Sequence, residues 1–236
     1  MKKLSTLITG LLIVAGLYGQ QVNDPNAEVR PAKEYHGISV SNAFDVYLTQ
    51  SDEEAVAVSA AEAKHLERIK VEVKAGILYI GYDADGKMGW GNGNKKLKAY
   101  ISFKQIDQLK ISGACDVFIA GILKADVLNI DQSGASDLKG KLDVNKLTVD
   151  LSGASDITVT GTVTQISVEA SGASDFKGYD LVADICNVQA SGASDIKITV
   201  NKELSAQASG ASDVRYKGNG VIKDIKSSGS SSVSKG

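Results

Sequence analysis

The chain has few of the residues that usually mark an active site or a covalent scaffold. Its 236 residues include two cysteines, two histidines and two prolines. Two cysteines cannot build a disulfide framework, and two imidazoles exclude a histidine-rich zinc centre. With so little proline and only 6% aromatic residues, collagen-like and proline-rich linker proteins are excluded too. Charge of one sign is also lacking, since 26 Lys and Arg face 28 Asp and Glu. That balance is not the basic stripe of a nucleic-acid binder, and nucleic acid is not an expected partner. Glycine is plentiful at 24 residues, within an ordinary 43% hydrophobic content, which suits one large folded domain or two small ones.

Only the N-terminus carries a long apolar run. Lys2 and Lys3 precede Leu4 to Leu17, which Ser5, Thr6, Thr9, Gly10 and Gly16 interrupt, and Gly19 stands before Gln20. This predicts a secretory signal peptide over residues 1–20. The run is too short and too broken for a confident membrane helix, so no integral span is expected after cleavage. No cysteine follows it, so a lipoprotein is not expected, and the chain is placed in the periplasm, at the cell surface or outside the cell. Without Lys2 and Lys3 the balance is 24 basic to 28 acidic residues, a formal charge of −4. Beyond the leader the expectation is a linker over 21–33, one domain over 34–233 and a tail over 234–236.

An internal repeat dominates that domain. Ser-Gly-Ala-Ser-Asp starts at Ser133, Ser152, Ser171, Ser191 and Ser209; a variant with Cys115 in fourth place starts at Ser112, and a decayed copy starts at Ser228. Successive starts differ by 18 to 21 residues. Asn42-Ala43-Phe44-Asp45-Val46 is a candidate distant relative. Five positions before the motif stand Leu128, Leu147, Ile166, Cys186 and Leu204; three before stand Ile130, Val149, Val168, Val188 and Ala206. After it come Val117, Leu138, Ile157, Phe176, Ile196 and Val214. Alternation of period two on both sides of a turn describes strands, with no helical segment.

A unit of about 19 residues is too short for a propeller blade or a helix pair, which take roughly 33 to 50. It fits a coil of a parallel β-helix. Seven coils stacked at about 4.8 Å make a rod of about 30 Å. The coils run over 112–233, and 34–111 supplies irregular, β-rich coils that cap them. Gly113, Gly134, Gly153, Gly172, Gly192 and Gly210 mark a recurring corner where positive φ or close backbone approach is needed. The following alanine is read as a place where only a methyl fits. In the cap, Phe44 to Thr49, Ala55 to Ser59, Ile69 to Lys74, Ile77 to Tyr82 and Leu97 to Phe103 read as strands, and Ala61 to Arg68 as a short helix. The glycine-rich stretch from Gly86 to Asn94 has no Gly-Lys-Ser/Thr ending and no βαβ context, so it is neither a P-loop nor a dinucleotide turn, and no cofactor is expected. It carries the only tryptophan, and Trp90, Asn92 and Asn94 are its candidate binding residues.

These features resemble the auto-transporter adhesin "head GIN" domain family of Bacteroidota-like bacteria. The resemblance rests on an exported chain, the opening Phe44-Asp45-Val46-Tyr47-Leu48-Thr49-Gln50, the strand Gly76-Ile77-Leu78-Tyr79-Ile80 and the serial pentapeptide. It covers roughly Tyr35 to Val233. It implies a right-handed parallel β-helix facing the periplasm or cell surface, and adhesion only weakly. Many members look like lipoproteins, and this chain departs from them.

The chemistry turns on the aspartate column Asp116, Asp137, Asp156, Asp175, Asp195 and Asp213. Stacked carboxylates about 5 Å apart raise two possibilities, a calcium ladder or a retaining-glycosidase pair. Phe118, Lys139, Thr158, Lys177, Lys197 and Arg215 stand two residues further on, so cations neutralise most of the column. The Gly-Gly-x-Gly-x-Asp nonapeptide of calcium β-rolls is absent, and no metal site is assigned. A uniform ladder drives no two carboxylate pKa values apart and offers no aromatic platform, so no catalytic residue is assigned. His36 and His65 lie in the cap and no Gly-x-Ser-x-Gly elbow occurs, which argues against a serine triad. Cys186 reads as a core residue, and Cys115 as an exposed serine replacement. The resulting reading is a non-enzymatic exported binding protein whose partner is a glycan or a cell-surface protein. A purely structural envelope protein and a carbohydrate-active β-helix enzyme are the alternatives, and self-association is open if a rod end is poorly covered.

Overall fold

A computed structural model of the chain describes residues 24–83 and 95–236. The expected signal peptide and the candidates Trp90, Asn92 and Asn94 lie outside the described residues. In chain order the elements are β1 (Glu28–Arg30), β2 (Gly37–Val40), β3 (Phe44–Gln50), β4 (Ala55–Ser59), α1 (Ala63–Leu66), β5 (Ile69–Lys74), β6 (Ile77–Tyr82), β7 (Leu97–Phe103) and β8 (Gln108–Ile111). The array follows as β9 (Asp116–Gln132), β10 (Asp137–Leu151), β11 (Asp156–Ala170), β12 (Asp175–Ala190), β13 (Asp195–Gly210), β14 (Asp213–Lys217), β15 (Val221–Gly229) and β16 (Ser232–Lys235). They form a β-solenoid of about seven turns with a spacing near 19 residues.

The strands run along two tracks. The first stacks β1, β4, β7, β3 and the leading halves of β9 to β13, then β14 and β16. The second stacks β5, β6, β2, β8 and the trailing halves of β9 to β13, then β15. Within the array every pairing is parallel and equivalent motif positions face one another, as in Asp137 with Asp156, Leu147 with Ile166 and Val149 with Val168. This register is forced by the period-two pattern, because a slip of one residue would turn every apolar side chain outward.

The sequence suggests a strand, turn, strand, turn in each repeat, but the second turn does not interrupt pairing. Strands of 15 to 17 residues pass through it continuously. Register shifts between Lys139 and Lys141 and between Thr158 and Gly161 mark the bend. A bulge lets a strand change direction while most of its ladder bonds survive.

The tight corner belongs to the pentapeptide. Ala135 N–H donates to Gly113 O at 2.7 Å, Ala154 to Gly134 at 2.7 Å and Ala173 to Gly153 at 2.8 Å, so the turns are hydrogen-bonded to one another up the stack. Ser136, Ser155, Ser174, Ser194 and Ser212 are fully buried. Each donates to the carbonyl three residues back, between 2.8 and 3.1 Å, which satisfies a hydroxyl that would be costly to bury unpaired. Cys115 occupies the same column and is fully buried, which corrects its reading as exposed. The alanines at the corner are exposed, so a tight methyl fit does not explain them.

The candidate relative at Asn42 is the first corner. Asp45 pairs with Asp116, and Ala114 N–H donates to Asn42 O at 2.6 Å. Asn42 has φ of 81° in place of the glycine, a conformation asparagine tolerates better than most residues. Phe44 fills the buried serine position. The N-terminal end is closed by antiparallel strands, β4 on β7, β1 on β4 and β5 on β6. β1 falls within the stretch 21–33 expected as a linker. The expected helix over Ala61 to Arg68 is one turn, α1, because its Ncap residue Glu62 supplies no side-chain cap and no residue of the turn is buried.

Candidate functional site

The first track presents two outward columns to solvent. In one, Asp45, Asp116, Asp137, Asp156, Asp175, Asp195 and Asp213 follow coil by coil, and Ser232 ends the series. The next column outward contains Tyr47, Phe118, Lys139, Thr158, Lys177, Lys197 and Arg215.

Over most of its length the face neutralises itself. Lys177 Nζ lies 2.6 Å from Asp156 and 3.4 Å from Asp175. Arg215 lies 2.6 Å from Asp213 and 3.5 Å from Asp195, and Lys139 lies 3.6 Å from Asp137. The hydrogen bond to Asp156, against some desolvation, holds the Lys177 ammonium above its usual range. These pairs are half-exposed, so each adds little stability. Their effect is to leave a ladder of carboxylates without a strong unpaired field.

The N-terminal end of the face is different. Tyr100, Tyr47 and Phe118 stack across β7, β3 and β9. Ring centroids are 5.2 Å apart for the first pair and 5.6 Å for the second, with planes within 13° and 21°. Beside the rings stand Asp45 and Asp116, and among the described residues no ion pair reaches either. Burial, reinforced by the neighbouring charge of Asp116, raises the Asp45 carboxyl above the usual carboxylate range, and Lys98 only partly offsets this. Lys98 itself reaches Asp24 at 3.7 Å. Asp24 also accepts the Tyr100 hydroxyl at 2.9 Å. Burial opposes ionisation of Asp24, but hydrogen bonds from Ser59, Tyr100 and the Asn26 N–H, with the Lys98 charge, together hold its carboxyl low.

This corrects the sequence reading that the face lacks an aromatic platform. Phe118 was visible as the odd member of the cation column. Tyr47 could have been found by aligning Asn42 to Asp45 as a full repeat, since it stands two residues past the aspartate. Tyr100 carried no signal, because β7 has no motif and joins the column only through its pairing with β3.

The remaining candidates do not converge. His36 Nδ1 lies 3.0 Å from Asp107 and His65 Nδ1 lies 2.8 Å from the Tyr82 hydroxyl, and among the described residues neither meets a serine. Among those residues no group of three His, Cys, Asp or Glu side chains is placed to hold a metal ion. Cys115 and Cys186 are both buried and free. No helix among the described residues is long and apolar enough to cross a membrane.

The family model described as "Putative auto-transporter adhesin, head GIN domain" matches residues 34–220. Among solved structures, a "putative adhesin" from Bacteroides fragilis NCTC 9343 superposes with a TM-score of 0.83 at 23% identity, covering 89% of this chain and 95% of that one. A "putative lipid binding protein" from Parabacteroides distasonis ATCC 8503 gives 0.65 at 23% identity, over 90% and 98%. A "putative adhesin" from Parabacteroides merdae ATCC 43184 gives 0.67 at 15%, over 89% and 95%. At these identities the likeness is one of fold. No curated protein matches the chain.

Proposed function

The chain belongs to the head GIN domain family, and from that premise we propose that it is an exported, non-enzymatic binding protein whose first-track face engages an extended glycan at the cell envelope. The observation that carries the reading is the Tyr100, Tyr47 and Phe118 stack beside Asp45 and Asp116. Aromatic rings offer apolar surface to the C–H faces of a sugar. Carboxylates not occupied by lysine or arginine can accept its hydroxyls. A repeat surface suits a repeating partner, since every coil offers the same spacing again. The neutralised ladder beyond Asp137 supports binding over catalysis, because catalysis needs carboxylates in unlike environments.

A glycan and host-matrix array, run with calcium and with chelator, tests this. The expected result is saturable binding that ignores chelator and is lost in Tyr47→Ala or Phe118→Ala proteins that keep their strand content. Trp90→Ala in the same array reports on the glycine-rich stretch Gly86 to Asn94. Binding that vanishes with chelator would assign the aspartate ladder to calcium, and no binding would favour a structural envelope role. Glycan turnover abolished by Asp156→Asn or Asp175→Asn would make the protein an enzyme.

A further inference from the structure

The two ends of the solenoid are finished differently. At the C-terminal end the last coil places Ile222 and Ile225 in register with Leu204 and Ala206. Ile222 is 46% exposed and Ile225 38%, whereas Leu204 and Ala206 are 0% exposed. Val221 beside them is 63% exposed. Among the described residues no strand lies beyond β15 on the second track or beyond β16 on the first. The N-terminal end has antiparallel strands where this end has none, and there Val56 and Val58 of β4 are buried. An uncovered apolar column with an unpaired strand edge is a ready template for another strand.

We propose that a second copy of this chain covers this end, the two β15 strands pairing antiparallel about a two-fold axis between Lys223 and Asp224. The strand is complementary to itself in that register. Ile222 meets the partner's Ile225, and Lys223 meets the partner's Asp224, each contact occurring twice by symmetry. A β-bulge makes this work. The register with β13 skips from Leu204–Ile222 to Ser205–Asp224, leaving Lys223 as the extra residue. Lys223 reaches the outward Glu203 at 3.3 Å, and Asp224 pairs with the outward Ser205. Both charges therefore point to solvent while Ile222 and Ile225 point to the core. A slip of one residue either way would set Lys223 against the partner's Lys223 or Asp224 against the partner's Asp224, so charge selects the register. Antiparallel closure is also how β4 closes the other end on β7.

Light scattering after size exclusion and sedimentation velocity over a wide concentration range test the proposal with the purified protein. A dimer that dissociates on dilution is expected. Lys223→Asp should weaken it by about tenfold or more, because two attractive pairs become repulsive, and adding Asp224→Lys should restore it. Ile225→Lys should give a monomer that keeps its strand circular dichroism and melts at a temperature independent of concentration. A monomer at every concentration, head-to-tail filaments, or a dimer indifferent to the charge reversal and its rescue would each overturn the proposal.

Discussion

Replacing Gly172 and Gly121 by alanine separates two reasons for glycine that are usually confounded. Both have nearly the same backbone, with φ of 77° and 76°. An alanine at either site bears the left-handed penalty of about 1–2 kcal/mol. At Gly121 a new Cβ would meet nothing within 4 Å, so the loss should stop there. At Gly172 it would stand 2.5 Å from Gly153 O and 3.1 Å from Gly153 N. Both atoms are backbone of the adjacent coil and cannot rotate away. Room is made only by lifting the corner, which breaks the Ala173 N–H bond to Gly153 O and costs about 1–3 kcal/mol more. Gly172→Ala should therefore lose about 3–4 kcal/mol in urea unfolding and melt about 10 °C lower, while Gly121→Ala loses about half as much or less. Equal losses would refute the reasoning, because they would show that φ alone selects glycine and that the stacked corner yields freely.

Three other outcomes follow from buried and half-buried groups. Gln132 is fully buried with Oε1 unpartnered, and its Nε2 donates to Ser136 O and to Asp156 O. Its stack neighbours are Ile111 and Leu151, so Gln132→Leu should raise the unfolding free energy by about 1–2 kcal/mol in a urea titration. Burial raises both thiols, pushing Cys186 up to about 12, so a thiol reagent at neutral pH should react with neither until the protein is unfolded. The folded-state carboxyl of Asp45 is raised. Its ionisation therefore costs stability as pH climbs from the ordinary aspartate range through the folded value. Asp45→Asn should stabilise the protein at neutral pH, with the gain fading once acid protonates Asp45 in folded and unfolded chains alike. A gain that persisted at low pH would show that its cause is not ionisation.

Much of the array was legible in one dimension because a solenoid maps sequence period onto space. Leu128, Leu147, Ile166, Cys186 and Leu204 had to share a column once the motif spacing was near 19, and the strands Ala55–Ser59, Ile69–Lys74, Ile77–Tyr82 and Leu97–Phe103 lie where alternation placed them. The edges were harder. β1, β2 and β8 are three or four residues long, too short for alternation to stand out. The burial of the motif serines was also hidden, since a serine reads as polar until its hydroxyl is seen to bond the carbonyl three residues back.

The sequence by itself determined the coil length, the columns of the core and the aspartate ladder, because those follow from local periodicity and from the intolerance of a pleated strand to a one-residue slip. Only the tertiary structure decided which unrelated segments share a rung. Pairing β7 beside β3 brought Tyr100 onto Tyr47, whose ring stacks in turn with Phe118, and the bulge in β15 turned Lys223 and Asp224 to the same side. The first is a long-range register between segments with no repeat in common, and the second is a one-residue break in the register between two copies of the repeat. The free energy that selects such a register lies in contacts between strands, and no spacing along a single chain encodes it.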